Sequence, residues 1–357
     1  MNTEKAGRSR RLIRPAFSLY PDFGNGLSST AFRHVERSCE LGGGLYVKSM
    51  VVQKNSFWTR LRLDLKRNIW KYIVILPVLV WLILFCYKPM YGVVIAFQNF
   101  KVSKGISGST WVGFENFRRF FNDVYFWRLI RNTVSISVLS IVFSFPVPIL
   151  LALMLNEVRK SWFKRTVQTL TYMPHFISTV VVCSLLHTFF GANGLFPELL
   201  ESFGGTGRSL LGQSKYFYAI YIGSGIWAEA GWSSIIYLAA LSGIDQQQYE
   251  AARVDGAGRF RQMWNITLPG IMPTVVMLLI LKIGKVLSVG YEKIILLYEP
   301  LTYEVADVIS TYVYRKGLID ADYSYSTAIN LFNSVINIAL LLTANRISKK
   351  AGQSGLF

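Results

Sequence analysis

The sequence contains few charged residues for its length. Only 16% of its 357 residues are Asp, Glu, Lys or Arg, whereas 52% are hydrophobic. An average soluble domain carries about 25% charged residues, so this composition excludes an ordinary soluble domain and indicates an integral membrane protein. The three cysteines, Cys39, Cys86 and Cys183, are far apart in sequence, and neither a disulfide framework nor a zinc-site spacing follows from them.

Sequence signatures of catalysis are also missing. The chain contains no G-x-x-x-x-G-K-[ST] loop to bind nucleotide phosphates, no G-x-S-x-G and no H-E-x-x-H. We therefore expect a chain that is not an enzyme and binds no cofactor or metal. His175 and His187 are weak metal candidates, because no Cys or carboxylate stands beside them.

The net charge of +18 comes mostly from Lys and Arg in tails and loops that flank apolar segments. This pattern favours anionic lipid headgroups over nucleic acid as the partner of the basic residues. Residues 1–56 are predicted to be a basic, disordered cytoplasmic tail. Met50 precedes an amphipathic, basic stretch at 57–67 and is an alternative start of the native chain.

Apolar runs predict six membrane-spanning helices within a transmembrane domain at 57–348, followed by a cytoplasmic tail at 349–357. The predicted spans are 73–87, 133–155, 170–190, 217–244, 270–287 and 326–344. Lys88-Pro89 is expected to end the first span, and Pro146 and Pro148 to kink the second. The sequence thus predicts an all-α integral membrane protein.

Basic residues on either side of the first span predict its orientation. Six precede it (Lys54, Arg60, Arg62, Lys66, Arg67 and Lys71), and three follow closely (Lys88, Lys101 and Lys104). The positive-inside rule therefore places the N-terminus in the cytoplasm, and six spans place the C-terminus and the loop between spans four and five there too.

That loop, at 245–269, is a polar insert between two apolar segments. Asp245 is placed to cap a helix over 246–253, and Asp255-Gly256 is placed to end it, because glycine adopts the left-handed conformation of a sharp reversal. A second short helix is predicted over 257–264, and Pro269 is expected to close the unit.

The order of residues in this loop resembles the EAA motif, the cytoplasmic coupling loop of ABC importer permeases. Its members here are Glu250, Ala251, Ala252, Asp255, Gly256, Ala257, Ile266, Leu268 and Pro269. Small side chains suit a helix and turn that seat deep in a groove on a soluble partner. The alternative is a helical hairpin that packs only against its own chain.

Other stretches resemble the polysaccharide and complex-carbohydrate (LplB-like) branch of the maltose-type permeases. They are KPMYGVVIAFQNF at 88–100, YMPHFIST at 172–179, GWSSIIYLAALSGID at 231–245 and VGYEKIILLYEPLTYEVADVISTYVYRKGL at 289–318. The resemblance implies a type I ABC importer (MetI-like) permease fold and import of an oligosaccharide across the bacterial plasma membrane. It also implies a second permease subunit, two ATP-binding subunits that use the ATP, and an extracytoplasmic sugar-binding lipoprotein.

Charged and aromatic residues within the spans predict a substrate path. Lys282 and Lys285, three apart on one predicted helix face, are too costly to face lipid and favour an acidic over a neutral oligosaccharide. The alternative is that they pair with Glu229 or Glu292, or reach an interface. Trp227 and Trp232 flank Glu229 and suit sugar rings, but they also suit a helix interface.

Two other functions compete with the permease interpretation. Glu229, Lys282 and Lys285 would also suit an ion-coupled secondary transporter. Glu304 and Asp307 are outer-loop carboxylates that a membrane enzyme or receptor would use for acid chemistry. The segment 303–314 is predicted to form an amphipathic extracytoplasmic helix, and by resemblance it lies under the docked binding protein.

Overall fold

The computed structural model describes Trp58 and residues 64–204, 207–352 and 355–356. The predicted tail at 1–56 lies outside these residues. The chain divides into two units, Met1–Pro77 and Val78–Phe357. In the first unit, the Asp64 carboxylate accepts hydrogen bonds from Asn68 Nδ2 and from the Tyr72 hydroxyl, each at 2.6 Å. These two bonds connect the residues before the first long helix with its first turn.

The described chain is almost entirely helical. Its α-helices are α1 Ile69–Trp81, α2 Lys88–Met90, α3 Gly105–Gly108, α4 Glu115–Phe121, α5 Phe126–Ser144, α6 Pro146–Glu157, α7 Ser161–Tyr172, α8 Thr179–Phe190, α9 Leu195–Ser202, α10 Ser214–Ser242, α11 Gln246–Val254, α12 Arg259–Gln262, α13 Leu268–Ile283, α14 Tyr291–Leu297, α15 Tyr303–Ala306, α16 Ile309–Tyr314 and α17 Tyr323–Lys350. The strands β1 (Gln98–Asn99) and β2 (Thr110–Trp111) form one short antiparallel ladder.

Within the residues that the structure describes, five helical segments are long and apolar enough to cross a membrane. They are Ile69–Phe97, Phe126–Glu157, Thr179–Ser202, Arg259–Ile283 and Tyr323–Lys350. The fourth predicted span corresponds to α10, whose 29 residues cover about 43 Å at the rise of an α-helix. α10 is not one of these five segments, and it packs against α5, α6 and α7. The all-α membrane fold is therefore confirmed.

Proline does not end helices where the sequence analysis expected it to. The first helix continues past Pro89 through a π-helix at Leu82–Tyr87, α2 and a 3-10 helix at Tyr91–Phe97. Pro269 likewise lies in the first turn of α13, after a π-helix at Met263–Thr267, so it does not close the loop unit. Each proline lies in the first turn of the α-helical segment that follows a π-helix, so the missing N–H falls where the hydrogen-bond register of the continuing helix changes.

The predicted third span at 170–190 is interrupted. α7 ends at Tyr172, a 3-10 turn follows at Met173–Phe176, and α8 begins only at Thr179. Pro174 lies in the 3-10 turn, and the Ser178 side chain caps α8 by accepting from the Val181 N–H. Ile177 and Ser178 have extended backbone, which separates the 3-10 turn from α8. The crossing segment therefore starts after this cap and runs through α8 and α9, from Thr179 to Ser202.

Residues 284–290, after α13, form no regular structure although they lie among the helices. Neighbouring helices supply the missing backbone hydrogen bonds. Asn333 Nδ2 donates to the Leu287 carbonyl at 3.1 Å, Asn337 Oδ1 accepts from the Leu287 N–H at 3.0 Å, and Ser137 donates to the Val286 carbonyl. Irregular backbone is tolerated inside a membrane protein when side chains satisfy it in this way.

The predicted helix at 303–314 is broken between α15 and α16 at Asp307-Val308. Side chains of α5 bind the exposed backbone at the break: Asn132 Nδ2 donates to the Glu304 and Asp307 carbonyls, and Thr133 Oγ1 accepts from the Ile309 N–H. The apolar spacing of 303–314 predicted a continuous helix, because it reflects only neighbouring residues. The contacts that break the helix come from α5, 172 to 176 residues earlier in the chain.

Candidate functional site

The predicted coupling loop folds as a helical hairpin. Asp245 accepts the Gln247 N–H at 3.0 Å and so caps α11, as predicted. At the other end, the Ala257 N–H donates to the Ala252 carbonyl at 2.8 Å and the Gly256 N–H to the Arg253 carbonyl at 3.1 Å. These two bonds form a Schellman motif, which requires the positive φ of +73° found at Gly256.

The second arm of the hairpin is part of a membrane-crossing segment. α12 begins at Arg259, two residues later than predicted, and continues without interruption through the π-helix into α13. The Tyr249 hydroxyl lies 3.0 Å from Thr267 Oγ1 and joins the two arms. Gly270 approaches Ile244 so closely that a Cβ there would lie 2.7 Å from its Cδ1. A displacement of the hairpin would therefore displace α13 with it.

The outer face of the hairpin is exposed, including four residues of the motif: Glu250, Ala251, Asp255 and Gly256. Ala252, Ala257, Ile266 and Leu268 are half-buried, and Pro269 is exposed. Val254, Phe260 and Trp264 are also exposed, to 89%, 83% and 69%. The sequence analysis did not single out these three, although an apolar side chain in a polar insert was a usable signal. Exposed apolar residues grouped in this way are typical of a protein contact surface.

A second feature lies among the helices of the Val78–Phe357 unit. Two adjoining cavities of about 200 and 300 Å³ share Glu229 of α10 and Lys282 of α13 in their walls. Ser144 lines both cavities, and Ser140 and Ser233 line one each. The walls thus combine charge and hydroxyl groups with apolar side chains, the usual composition of a small-molecule site.

Glu229 contacts a histidine. His175 Nδ1 lies 3.2 Å from Glu229 Oε2, and the His175 ring stacks on Trp232 with centroids 4.5 Å apart and planes 4° apart. The contact depends on Gly231, where α10 meets the end of α7: a Cβ at this position would lie 2.0 Å from the Thr171 carbonyl oxygen. Close packing of the two helices therefore brings His175 to Glu229.

Lys293 of α14 lines the larger cavity together with Lys282. Its Nζ donates to the Tyr221 carbonyl at 2.7 Å and lies 4.6 Å from the centre of the Tyr221 ring. The sequence analysis assigned no role to Lys293. A lysine within the short apolar helix YEKIILL was the available signal, but its position opposite α10 depends on the irregular segment at 284–290.

The other predicted path residues lie elsewhere. α13 ends at Ile283, so Lys285 follows the helix and does not share a helix face with Lys282. Lys285 is exposed, Trp227 is 50% exposed, and neither lines the two cavities. Trp232 contacts His175 behind the cavity wall. Of the predicted path residues, the structure therefore brings only Glu229 and Lys282 to the cavities. His175 and Lys293 line the larger cavity with them, although the sequence analysis did not assign them to the path.

Asp307, which the sequence analysis assigned to an outer loop, is fully buried. Arg315 binds it with two nitrogens, at 2.6 and 2.9 Å, and Thr311 donates to it at 2.7 Å. Burial alone would lower the pKa of Arg315, but the hydrogen bonds and charge of Asp307 outweigh burial and raise it above its ordinary value. Because its oxygens are engaged, Asp307 is unsuited to the acid chemistry that an enzyme would require.

The described residues contain no group of three or more His, Cys, Asp or Glu side chains suited to a metal ion. His175 contacts Glu229, and His187 Nε2 lies 2.8 Å from the Leu296 carbonyl oxygen, so the two histidines serve separate helix contacts.

Comparison with known proteins assigns the chain to a family. Residues 144–352 match the family described as "Binding-protein-dependent transport system inner membrane component". LplB of Bacillus subtilis is 47% identical over 82% of this chain and 92% of its own length. A polygalacturonan/rhamnogalacturonan transport system permease protein of the same organism, YteP, is 47% identical over 86% of this chain and 96% of its own.

A solved structure is also similar. A chain from a bacterial ABC transporter involved in the import of the acidic polysaccharide alginate is 45% identical, covers 82% of this chain and 99% of its own, and superposes with a TM-score of 0.75. A second structure of a bacterial alginate ABC transporter, in complex with a periplasmic protein bound to an alginate pentasaccharide, has 44% identity and a TM-score of 0.76. This chain therefore belongs to the binding-protein-dependent inner membrane components, the permease subunits of ABC importers.

Proposed function

We propose that this permease subunit moves an oligosaccharide inward across the plasma membrane, driven by ATP that separate subunits hydrolyse. The relatives of this chain support an oligosaccharide as the substrate, because they include a polygalacturonan/rhamnogalacturonan permease and a subunit of an alginate importer. The chain has no phosphate-binding loop of its own. The proposed complex contains a second permease subunit, two ATP-binding subunits and an extracytoplasmic sugar-binding lipoprotein.

The observation that carries the proposal is the hairpin formed by α11 and α12. We assign it as the surface that contacts an ATP-binding subunit, with the exposed apolar side chains of Val254, Phe260 and Trp264 at the contact. Its second arm is continuous with α13, and Lys282 on α13 lines the cavities. Movement of the ATP-binding subunits would therefore reach the cavity through one helix. This assignment places the hairpin and both termini in the cytoplasm.

The test compares two glycine substitutions. Gly256→Ala places a Cβ where φ is +73°, and an L-residue in this conformation costs roughly 1–2 kcal/mol, although no atom lies within 4 Å. Gly243→Ala, at φ −85°, introduces only an ordinary contact of 3.4 Å with the Ala240 carbonyl oxygen. In the reconstituted complex we expect Gly256→Ala to weaken binding of the ATP-binding subunit and lower substrate-stimulated hydrolysis several-fold. Gly243→Ala should match wild type.

Equal hydrolysis and equal co-purification of the ATP-binding subunit in wild type and Gly256→Ala would contradict the coupling assignment. Stability of the isolated permease, measured by thermal unfolding in detergent, separates a lost contact from a damaged fold. Labelling of a cysteine introduced at exposed Phe260 tests the side of the membrane: reaction with an impermeant reagent in intact cells would contradict the proposed orientation.

The contact between Glu229 and His175 favours one alternative, an ion-coupled secondary transporter. Ionisable pairs among the helices of such proteins serve as proton relays. Uptake in vesicles distinguishes the two functions. The ATP-driven importer loses uptake when ATP is withdrawn and keeps it when an ionophore collapses the ion gradients, and the alternative shows the reverse.

A further inference from the structure

The larger cavity carries more positive than negative charge. Two lysines, Lys282 and Lys293, and one carboxylate, Glu229, line it; its remaining titratable wall residues are His175 and Tyr221. With His175 neutral, the lysines and the carboxylate give the cavity one excess positive charge, and protonation of His175 adds another. Charged residues among the helices of a membrane protein are costly unless they have a partner.

The carboxylate is oriented toward the histidine. Glu229 Oε2 lies 3.2 Å from His175 Nδ1. Among the ion pairs of the described residues, none joins Lys282 or Lys293 to a carboxylate within 4.0 Å. Both ammonium groups therefore lack an anionic partner within this part of the chain.

Lys293 is held in place without being neutralised. Its contacts are the Tyr221 carbonyl at 2.7 Å and the face of the Tyr221 ring. An ammonium group has three donors, so one hydrogen bond to a carbonyl leaves two for a ligand. Lys282 lies 5.9 Å from the centre of the Phe145 ring and borders both cavities. Both lysines are therefore available to bind an anion that enters the cavity.

We infer that Lys293, together with Lys282, is the specificity determinant that recognises a carboxylate on the sugar as the oligosaccharide passes. The inference rests on the proposed function and adds the substrate class, an oligosaccharide containing uronic acid residues. The serine hydroxyls at 140 and 144 in the same wall suit the sugar hydroxyls. The relative that takes part in import of the acidic polysaccharide alginate is consistent with this class.

The experiment uses the assembled complex in liposomes, with its binding protein, and two probes that share one glycosidic backbone. One probe is an oligouronate, and the other is its carboxyl-reduced, neutral counterpart. The variants are Lys293→Met, which removes the charge, Lys293→Arg, which keeps it, and Lys285→Met as the matched control outside the cavities. Half-saturating concentration and maximal rate are measured for uptake, and thermal unfolding in detergent checks the fold.

We expect Lys293→Met to raise the half-saturating concentration of the oligouronate at least tenfold, with little change for the neutral probe if it is transported. Lys293→Arg should stay within about threefold of wild type, and Lys285→Met should equal it. The inference is overturned if Lys293→Met matches Lys285→Met, or if Lys293→Arg loses as much affinity as Lys293→Met at unchanged thermal stability. Wild-type complex that shows no ATP-dependent uptake of any oligosaccharide would instead overturn the proposed function.

Discussion

Gly231 offers the sharpest test of how helix packing builds the cavity wall. A Cβ at this position would lie 2.0 Å from the Thr171 carbonyl oxygen and 2.4 Å from its carbon, whereas real Cβ contacts essentially never fall below 3.0 Å. Both clashing atoms belong to the backbone, so no side chain can rotate away. In Gly231→Ala, α7 and α10 must therefore separate by about 1 Å at this point.

Overpacking of this kind typically costs 1–3 kcal/mol, and a backbone collision belongs at the upper end, about 3 kcal/mol. The separation also reaches the cavity, because Gly231 lies two residues after Glu229 and Thr171 four residues before His175. A shift of about 1 Å takes the 3.2 Å contact between these two side chains beyond hydrogen-bond range. We expect a melting temperature lower by about 5 °C or more and reduced transport.

Gly223→Ala is the matched control. It lies on the same helix, and a Cβ there meets nothing within 4 Å, so alanine should be neutral or slightly stabilising. Thermal unfolding of the detergent-purified permease measures both variants. If Gly231→Ala melts at or above the wild-type temperature while Gly223→Ala behaves as expected, the close contact of α7 with α10 is not present in the protein.

Two further predictions concern the loops around α16 and before α5. Asp307→Asn removes the fully buried carboxylate that binds the half-buried guanidinium of Arg315 and should cost about 3 kcal/mol, the low end for breaking a buried pair. Adding Arg315→Met should restore part of this loss, and strictly additive losses in thermal unfolding would refute the pairing. Burial raises the pKa of Asp123, but hydrogen bonds from Tyr312 and Tyr325, at 2.5 and 2.7 Å, outweigh it and lower the pKa below its ordinary value. A lowered folded-state pKa gives stability that is complete above the unfolded value of about 3.9 and is lost as the pH falls through the folded value. The difference in melting temperature between wild type and Asp123→Asn should therefore be constant from about pH 5 to 8 and shrink below about pH 4; a difference that instead disappears on raising the pH would contradict this assignment.

The sequence by itself determined the features that depend on neighbouring residues. Apolar length located the membrane helices, because a span needs about 20 apolar residues in a row. It did not fix their bounds: the third crossing segment begins at Thr179 and not at 170, and the fifth predicted span belongs to a segment that begins at Arg259 and not at 270. The Asp245 cap and the reversal at Gly256 were predicted correctly, since a cap and a left-handed turn involve only a few consecutive residues. The order of residues around that turn also identified the permease family, which the comparisons confirm.

The tertiary structure decided what distant segments do together. Pro89 and Pro269 lie within continuous helices because a π-helix precedes each of them. The amino-acid composition around the two prolines does not reveal these π-helices. His175 meets Glu229 across 54 positions, because the two helices touch where Gly231 has no side chain. Lys293 enters the cavity, and Lys285 does not, because the chain leaves helical geometry at 284–290. Local preferences set each helix, but the charges that face one another depend on how the helices pack and on where polar side chains satisfy the backbone between them.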